Sequence, residues 1–98
     1  MRIKYQPRAT RNLSEIQTHY QALGGRTLAL RMMRGIRQTV TSLADNPLRA
    51  PAYELAPRLR RLVLAKGAFL VFYRVTDRVQ VVYIRRAERE LLAEDEAT

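Results

Sequence analysis

Residues 59–85 read LRRLVLAKGAFLVFYRVTDRVQVVYIR, and this stretch decides the fold. It holds three runs rich in β-branched and aromatic residues, at 59–65, 69–75 and 79–85. Such side chains suit a pleated, half-buried surface. Lys66-Gly67 divides the first pair of runs and Thr76-Asp77-Arg78 the second. Connections that short force neighbouring strands to run antiparallel, as a meander. In the middle run Phe69, Val71, Tyr73 and Val75 fall on one face, with Leu70, Phe72 and Arg74 on the other. In the third, Val79, Val81 and Tyr83 are set against Val82 and Ile84. Apolar residues on both faces predict strands covered twice, or covered once with a patch that awaits a partner.

Upstream of the meander, residues 48–57 carry Pro51 and Pro57 and read as a loop. Asp45-Asn46-Pro47 before it is a helix stop, because proline cannot continue a helix and restricts the residue ahead of it. From about 26 to 44 the apolar residues Ala29, Met32, Met33, Ile36, Val40 and Leu43 form one helical stripe, opposite Arg31, Arg34, Gln38 and Thr41. An earlier stripe of Ala9, Leu13, Ile16, Tyr20 and Leu23 steps by four and three, so it too is helical. Pro7 suits its first turn, and Gly24-Gly25 ends it. Residues 2–6 read as an opening strand, and 86–94 as a short helix or tail, with about 93–98 an acidic tail. The expected architecture is α+β in a single domain over 1–98: strand, αα-hairpin, then a three-stranded antiparallel meander.

Composition narrows the function. The 98 residues hold 18 Lys+Arg against 9 Asp+Glu, a net +9. Only Lys4 and Lys66 are lysines; the other 16 basic residues are arginines, whose planar forks bind carboxylate and phosphate bidentately. Residues 1–87 carry 17 basic and 4 acidic side chains, +13, whereas 88–98 carry Arg89 against five acids, −4. Such a body seeks a polyanion, either nucleic acid or an acidic protein. The absence of cysteine excludes a disulfide framework, a thiolate zinc site and a cysteine nucleophile. No apolar run is long enough to span a bilayer, and no secretory signal is evident, so a cytoplasmic protein without membrane attachment is expected. Nothing in the residues calls for a cofactor or a metal.

The candidate binding residues are arginines. Arg58, Arg60 and Arg61 stand where the loop enters the sheet, either as charges that blunt a sheet edge or as part of a binding surface. Arg74 and Arg85, on adjacent strands, are placed to share a face with Arg60, subject to a register in which one slip reverses the face. Arg85, Arg86 and Arg89 introduce the last segment, where they could instead pair with the acidic tail at helical spacing. The lone histidine, His19, and the methionines Met32 and Met33 read as structural. Tyr53 is the one tyrosine that falls in a loop, and packing is its expected role.

The order of elements resembles the RelE/ParE superfamily of toxins from bacterial toxin–antitoxin modules. The resemblance is carried by Tyr5-x-Pro7-x-Ala9 leading to Leu13-x-x-Ile16, then Leu43-x-x-Asn46-Pro47 and Leu59-x-x-Leu62. It continues through Gly67-x-x-Leu70-Val71-Phe72-Tyr73-Arg74-Val75 and Val82-x-Ile84 into Arg86-Ala87-x-Arg89-Glu90. Two activities are implied by that likeness. RelE-like members cut mRNA on the ribosome, with arginine on the middle strand and a tyrosine or histidine near the C-terminus. ParE-like members bind and block DNA gyrase without catalysis. Here the position three before Tyr73, where nuclease members tend to carry arginine, is Leu70, and neither Tyr nor His follows Ile84. Arginine is a poor proton shuttle, since it is always protonated. The resemblance therefore implies a non-enzymatic, ParE-like toxin of a type II module, with DNA gyrase as target. It also implies a cognate ParD-like antitoxin, whose acidic amphipathic segment would mask the apolar face in a hetero-oligomer. The alternatives are a RelE-like ribosome-dependent endoribonuclease and a basic nucleic-acid-binding module.

Overall fold

The computed structural model describes residues 1–65 and 67–87. Of the expected short C-terminal helix or tail, 86–94, Arg86 is instead the last residue of the sheet's final strand, while 88–94, Arg89 among them, lie outside the described residues. Strand β1 (Ile3–Tyr5) leads into a helical stretch, Pro7–Thr41, that is broken at Gly24 and Gly25. We treat its two parts as α1 (7–23) and α2 (26–41). Gly25 makes the break with φ 82° and ψ −177°, a left-handed backbone that glycine alone adopts without steric cost. A 3₁₀ turn, Ser42–Ala44, closes α2. The Met1 ammonium donates to the Ala44 carbonyl at 3.2 Å, so the hairpin returns the chain to where it began.

Four strands follow: β2 (Ala52–Tyr53), β3 (Ala56–Leu64), β4 (Phe69–Val75) and β5 (Val79–Arg86). The sheet order is β1-β5-β4-β3-β2. The meander forms as expected, and β1 adds to it in parallel through Ile3 opposite Val79. Two details differ from expectation. The proline-containing loop includes a strand of two residues, β2, and β3 starts three residues before the predicted 59, so the sheet has five strands. Both extensions rest on one pairing, Ala52 opposite Arg60 and Tyr53 opposite Ala56, which no apolar periodicity announces.

Both helices lie on one face of the sheet. Leu13 and Ile16 of α1, and Met33, Ile36 and Val40 of α2, share a core with Leu62, Leu64, Phe69, Val71, Tyr73, Val79, Val81 and Ile84. Leu23, placed on the apolar stripe by its spacing, is instead 68% exposed at the end of α1, where the hairpin leaves the sheet behind. Burial pushes the Tyr5 phenol above its ordinary range, and the Arg37 guanidinium, 5.5 Å from the ring centroid, pulls it part of the way back.

One irregularity sets the faces. Tyr73 opposes Val81 but Phe72 opposes Tyr83, so Val82 has no partner on β4 and forms a β-bulge. Beyond it the alternation inverts. Ile84 joins Val79 and Val81 in the core, while Tyr83 turns to the opposite face with Phe72. The grouping of Tyr83 with Val79 and Val81 is thereby corrected, because a strict period of two cannot cross an inserted residue. Past β1, the edge of β5 meets α1 instead of a strand, and the Ile84 N–H donates to Asn12 Oδ1 at 3.0 Å.

Candidate functional site

The face of the sheet turned away from the helices carries the concentration of aromatic and guanidinium groups. Phe72 lies at its centre, fully buried although it is outside the helix-side core. The Tyr83 ring stacks on it with centroids 4.3 Å apart and 16° between planes, and the Tyr53 ring meets it edge-on at 5.0 Å. Three rings from three strands thus form one continuous apolar band. Val63 of β3, 51% exposed, sits opposite Leu70 and extends the band.

Arginines are laid over these rings. The Arg85 guanidinium carbon is 5.1 Å from the Phe72 centroid and 5.7 Å from that of Tyr83. Arg61 lies 5.4 Å from Tyr53, and Arg8, at the start of α1, lies 4.3 Å from Tyr83. A guanidinium stacked on an aromatic face is held by the ring quadrupole. Among the described residues the ion pair formed by side chains is Arg78 with Asp77, in the β4–β5 turn and away from this band. The band thus sets guanidinium groups around apolar ground.

The seven sequence candidates separate on this geometry. Arg61 and Arg85 belong to the band. Arg74 shares its face, with its Nε donating to Gln80 Oε1 at 3.0 Å. Arg60 does not share that face: it opposes Tyr73, and its Nη1 donates to the Ala50 carbonyl at 2.7 Å and that of Leu48 at 3.4 Å. The expected grouping of Arg60 with Arg74 and Arg85 is corrected to Arg61, its neighbour, because register puts odd and even residues on opposite sides. Arg58 is exposed near the start of β3. Arg86 points to the helix side, with Nη1 2.9 Å from His19 Nε2, so the histidine accepts there and anchors the end of β5 to α1. Sequence reading missed Arg8, which precedes the apolar stripe and gives no periodic signal, and missed Tyr83, hidden by the bulge. Leu70, where the resemblance to the nucleases implied arginine, is buried beside this face, opposite Arg85 and Val63.

A family model described as ParE toxin of type II toxin–antitoxin system, parDE, matches residues 3–91. The chain belongs to the ParE toxin family. No curated protein matches its sequence. Among solved structures this ParE-family chain is similar to one from the chromosomal ParDE toxin–antitoxin system of P. aeruginosa, with 29% identity and a TM-score of 0.79. That likeness covers 89% of this chain and 96% of the other. The isolated E. coli RelE toxin is similar in fold, at 18% identity and a TM-score of 0.61, over 98% of this chain and 95% of that one. The ParE-family chain is thus a type II toxin built on the RelE/ParE fold, and its described residues include no helix long and apolar enough to cross a membrane.

Proposed function

We propose that this toxin acts by binding, with DNA gyrase as its target, and that a ParD-like antitoxin neutralises it by laying an acidic amphipathic segment over the arginine–aromatic face. The observation that carries the reading is the state of the guanidiniums on that face. Arg8, Arg61 and Arg85 are committed to aromatic rings, and Leu70 places an apolar side chain where phosphate chemistry would need a charge. Acid–base cleavage of RNA needs a group that gives and takes a proton within hydrogen-bond reach of the scissile phosphate. A stacked arginine cannot serve, but it recognises carboxylates well.

The ribonuclease alternative has one observation in its favour: the Tyr83 phenol shares a face with Arg61 and Arg85. Against it, the Tyr83 ring is held between Phe72 and Arg8, which leaves it little freedom to follow a reacting phosphate. A supercoiling assay with purified gyrase decides between them. Inhibition or a trapped cleavage complex supports the proposal. Unimpaired supercoiling, together with mRNA cut on ribosomes, overturns it. For the antitoxin arm, the toxin alone should bind an apolar-sensitive dye and lose that signal in the complex.

A further inference from the structure

The β2 end of the sheet carries an apolar rim that neither the core nor the arginine–aromatic face accounts for. Leu55, in the turn between β2 and β3, is 82% exposed, and Leu48, in the loop before β2, is 60% exposed. Pro51, Ala52 and Pro57 are exposed beside them. Leucines on a mobile loop would mean little, but this loop is fixed. The Tyr73 hydroxyl holds the Pro47 carbonyl and the Ala50 N–H, and Arg60 Nη1 donates to the carbonyls of Leu48 and Ala50. The Arg61 N–H donates to the Pro51 carbonyl at 3.1 Å, and Arg49 Nη1 to Ser42 Oγ at 2.8 Å. Pro51 and Pro57 carry no N–H, so this edge offers little to another strand, and a partner must meet it through side chains. Arg49 and Arg58 stand exposed around the leucines, and among the described residues neither forms an ion pair.

We propose that this rim is where the toxin contacts its target enzyme, with Leu48 and Leu55 entering apolar depressions on gyrase whose borders are acidic and meet Arg49 and Arg58. A loop already held by Tyr73 and Arg60 gives up little conformational entropy on docking. The charges select the occupant. A two-fold contact with a second copy would bring the exposed arginines of both chains together, on bodies that each carry +13 over residues 1–87. Nucleic acid phosphates would satisfy the arginines and leave the leucines in water. An acidic protein surface with apolar depressions satisfies both. The rim also meets the arginine–aromatic face at Tyr53, which belongs to β2 and packs on Phe72. A segment laid over that face ends beside the rim, so antitoxin and target compete for neighbouring ground. The inference rests on the reading that the toxin binds gyrase; the unaltered chain tests that reading, and the variants below test this one.

Supercoiling by purified gyrase is titrated with the full chain and with Leu48→Ser, Leu55→Ser, Leu55→Met and Arg58→Glu. Each serine variant should need at least about tenfold more toxin for half-inhibition, the scale of burying one leucine. Leu55→Met, which keeps the apolar volume, should stay within about threefold of the unaltered chain. Arg58→Glu should weaken inhibition severalfold, and more so at low salt. All four should keep Tm within about 4 °C, because the replaced side chains are exposed, and that separates a lost contact from lost folding. An unaltered chain that leaves gyrase unimpaired overturns the target and this contact together. Full inhibition by the serine variants overturns the contact alone. So does inhibition that survives in them while antitoxin affinity, or a dimer seen by sedimentation, is lost, since either assigns the rim to another occupant.

Discussion

The two faces of this sheet are built from the same strands and obey different rules. On the helix side, Phe69, Val71, Val79 and Val81 are covered by α1 and α2, and burial alone stabilises them. On the far side, Phe72 is buried as completely, but by tyrosines and arginines instead of aliphatic side chains. The first face is closed to any partner. The second is closed to water at its centre and charged around it, so it is stable alone and still able to bind. Apolar content by itself does not distinguish a core from an interface. What distinguishes them here is the kind of side chain that covers the apolar centre.

Replacing the central ring tests that contrast most severely. Phe72→Ala should cost roughly 3–5 kcal/mol, comparable to a loss from the helix-side core, because a large buried side chain leaves a cavity. Urea unfolding measures it, and a cost below about 1 kcal/mol would mean the far face has no core of its own. Tyr73→Phe probes the helix side at a polar atom of a fully buried side chain. The Tyr73 hydroxyl donates to the Pro47 carbonyl at 2.8 Å and accepts from the Ala50 N–H at 3.4 Å, fixing the 46–51 loop. Its loss should cost about 1–3 kcal/mol by stranding those groups.

Smaller still are the expected stability effects of Arg61→Ala and Arg85→Ala, about 1 kcal/mol or less each, the scale of a partly exposed cation–π contact. Their effect on antitoxin affinity should be much larger, and that disproportion is the sharpest signature of a binding face. Equal, small effects on both would remove it. The least effect belongs to the β4–β5 turn. The Thr76 hydroxyl, and after it Arg78, holds the Asp77 carboxyl below its ordinary range. Because that carboxylate is favoured in the folded state, its contribution is present at neutral pH and fades as pH falls through the lowered value. The Tm difference between the native chain and Asp77→Asn should therefore narrow on acidification.

Much of the helix side was legible in the sequence, because aliphatic periodicity is a direct record of burial. The stripes from Ala9 to Ile16 and from Ala29 to Leu43 mark the core helices, and the meander follows from its short turns. Leu23 fails because periodicity says nothing of where a helix runs past its sheet. The far face was legible only in part. Arg61 and Arg85 were among the candidates, but their companions Arg8, Tyr53 and Tyr83 were not, since guanidinium–ring contacts join residues with no sequence spacing in common. Arg60 was misplaced by the register of a single strand.

The unpaired residue at Val82 also bears on descent. Because β5 carries one residue more than β4 at that point, everything after it is out of phase with everything before. A lineage that kept this residue but paired it in the ladder, with no bulge, would keep every arginine in its sequence and yet exchange Arg85 for Arg86 on the outer face. Two such relatives would look alike in composition and present different charges to their partners. Pairing between toxins of this kind and their antagonists would then diverge through strand register, with no substitution at any contact.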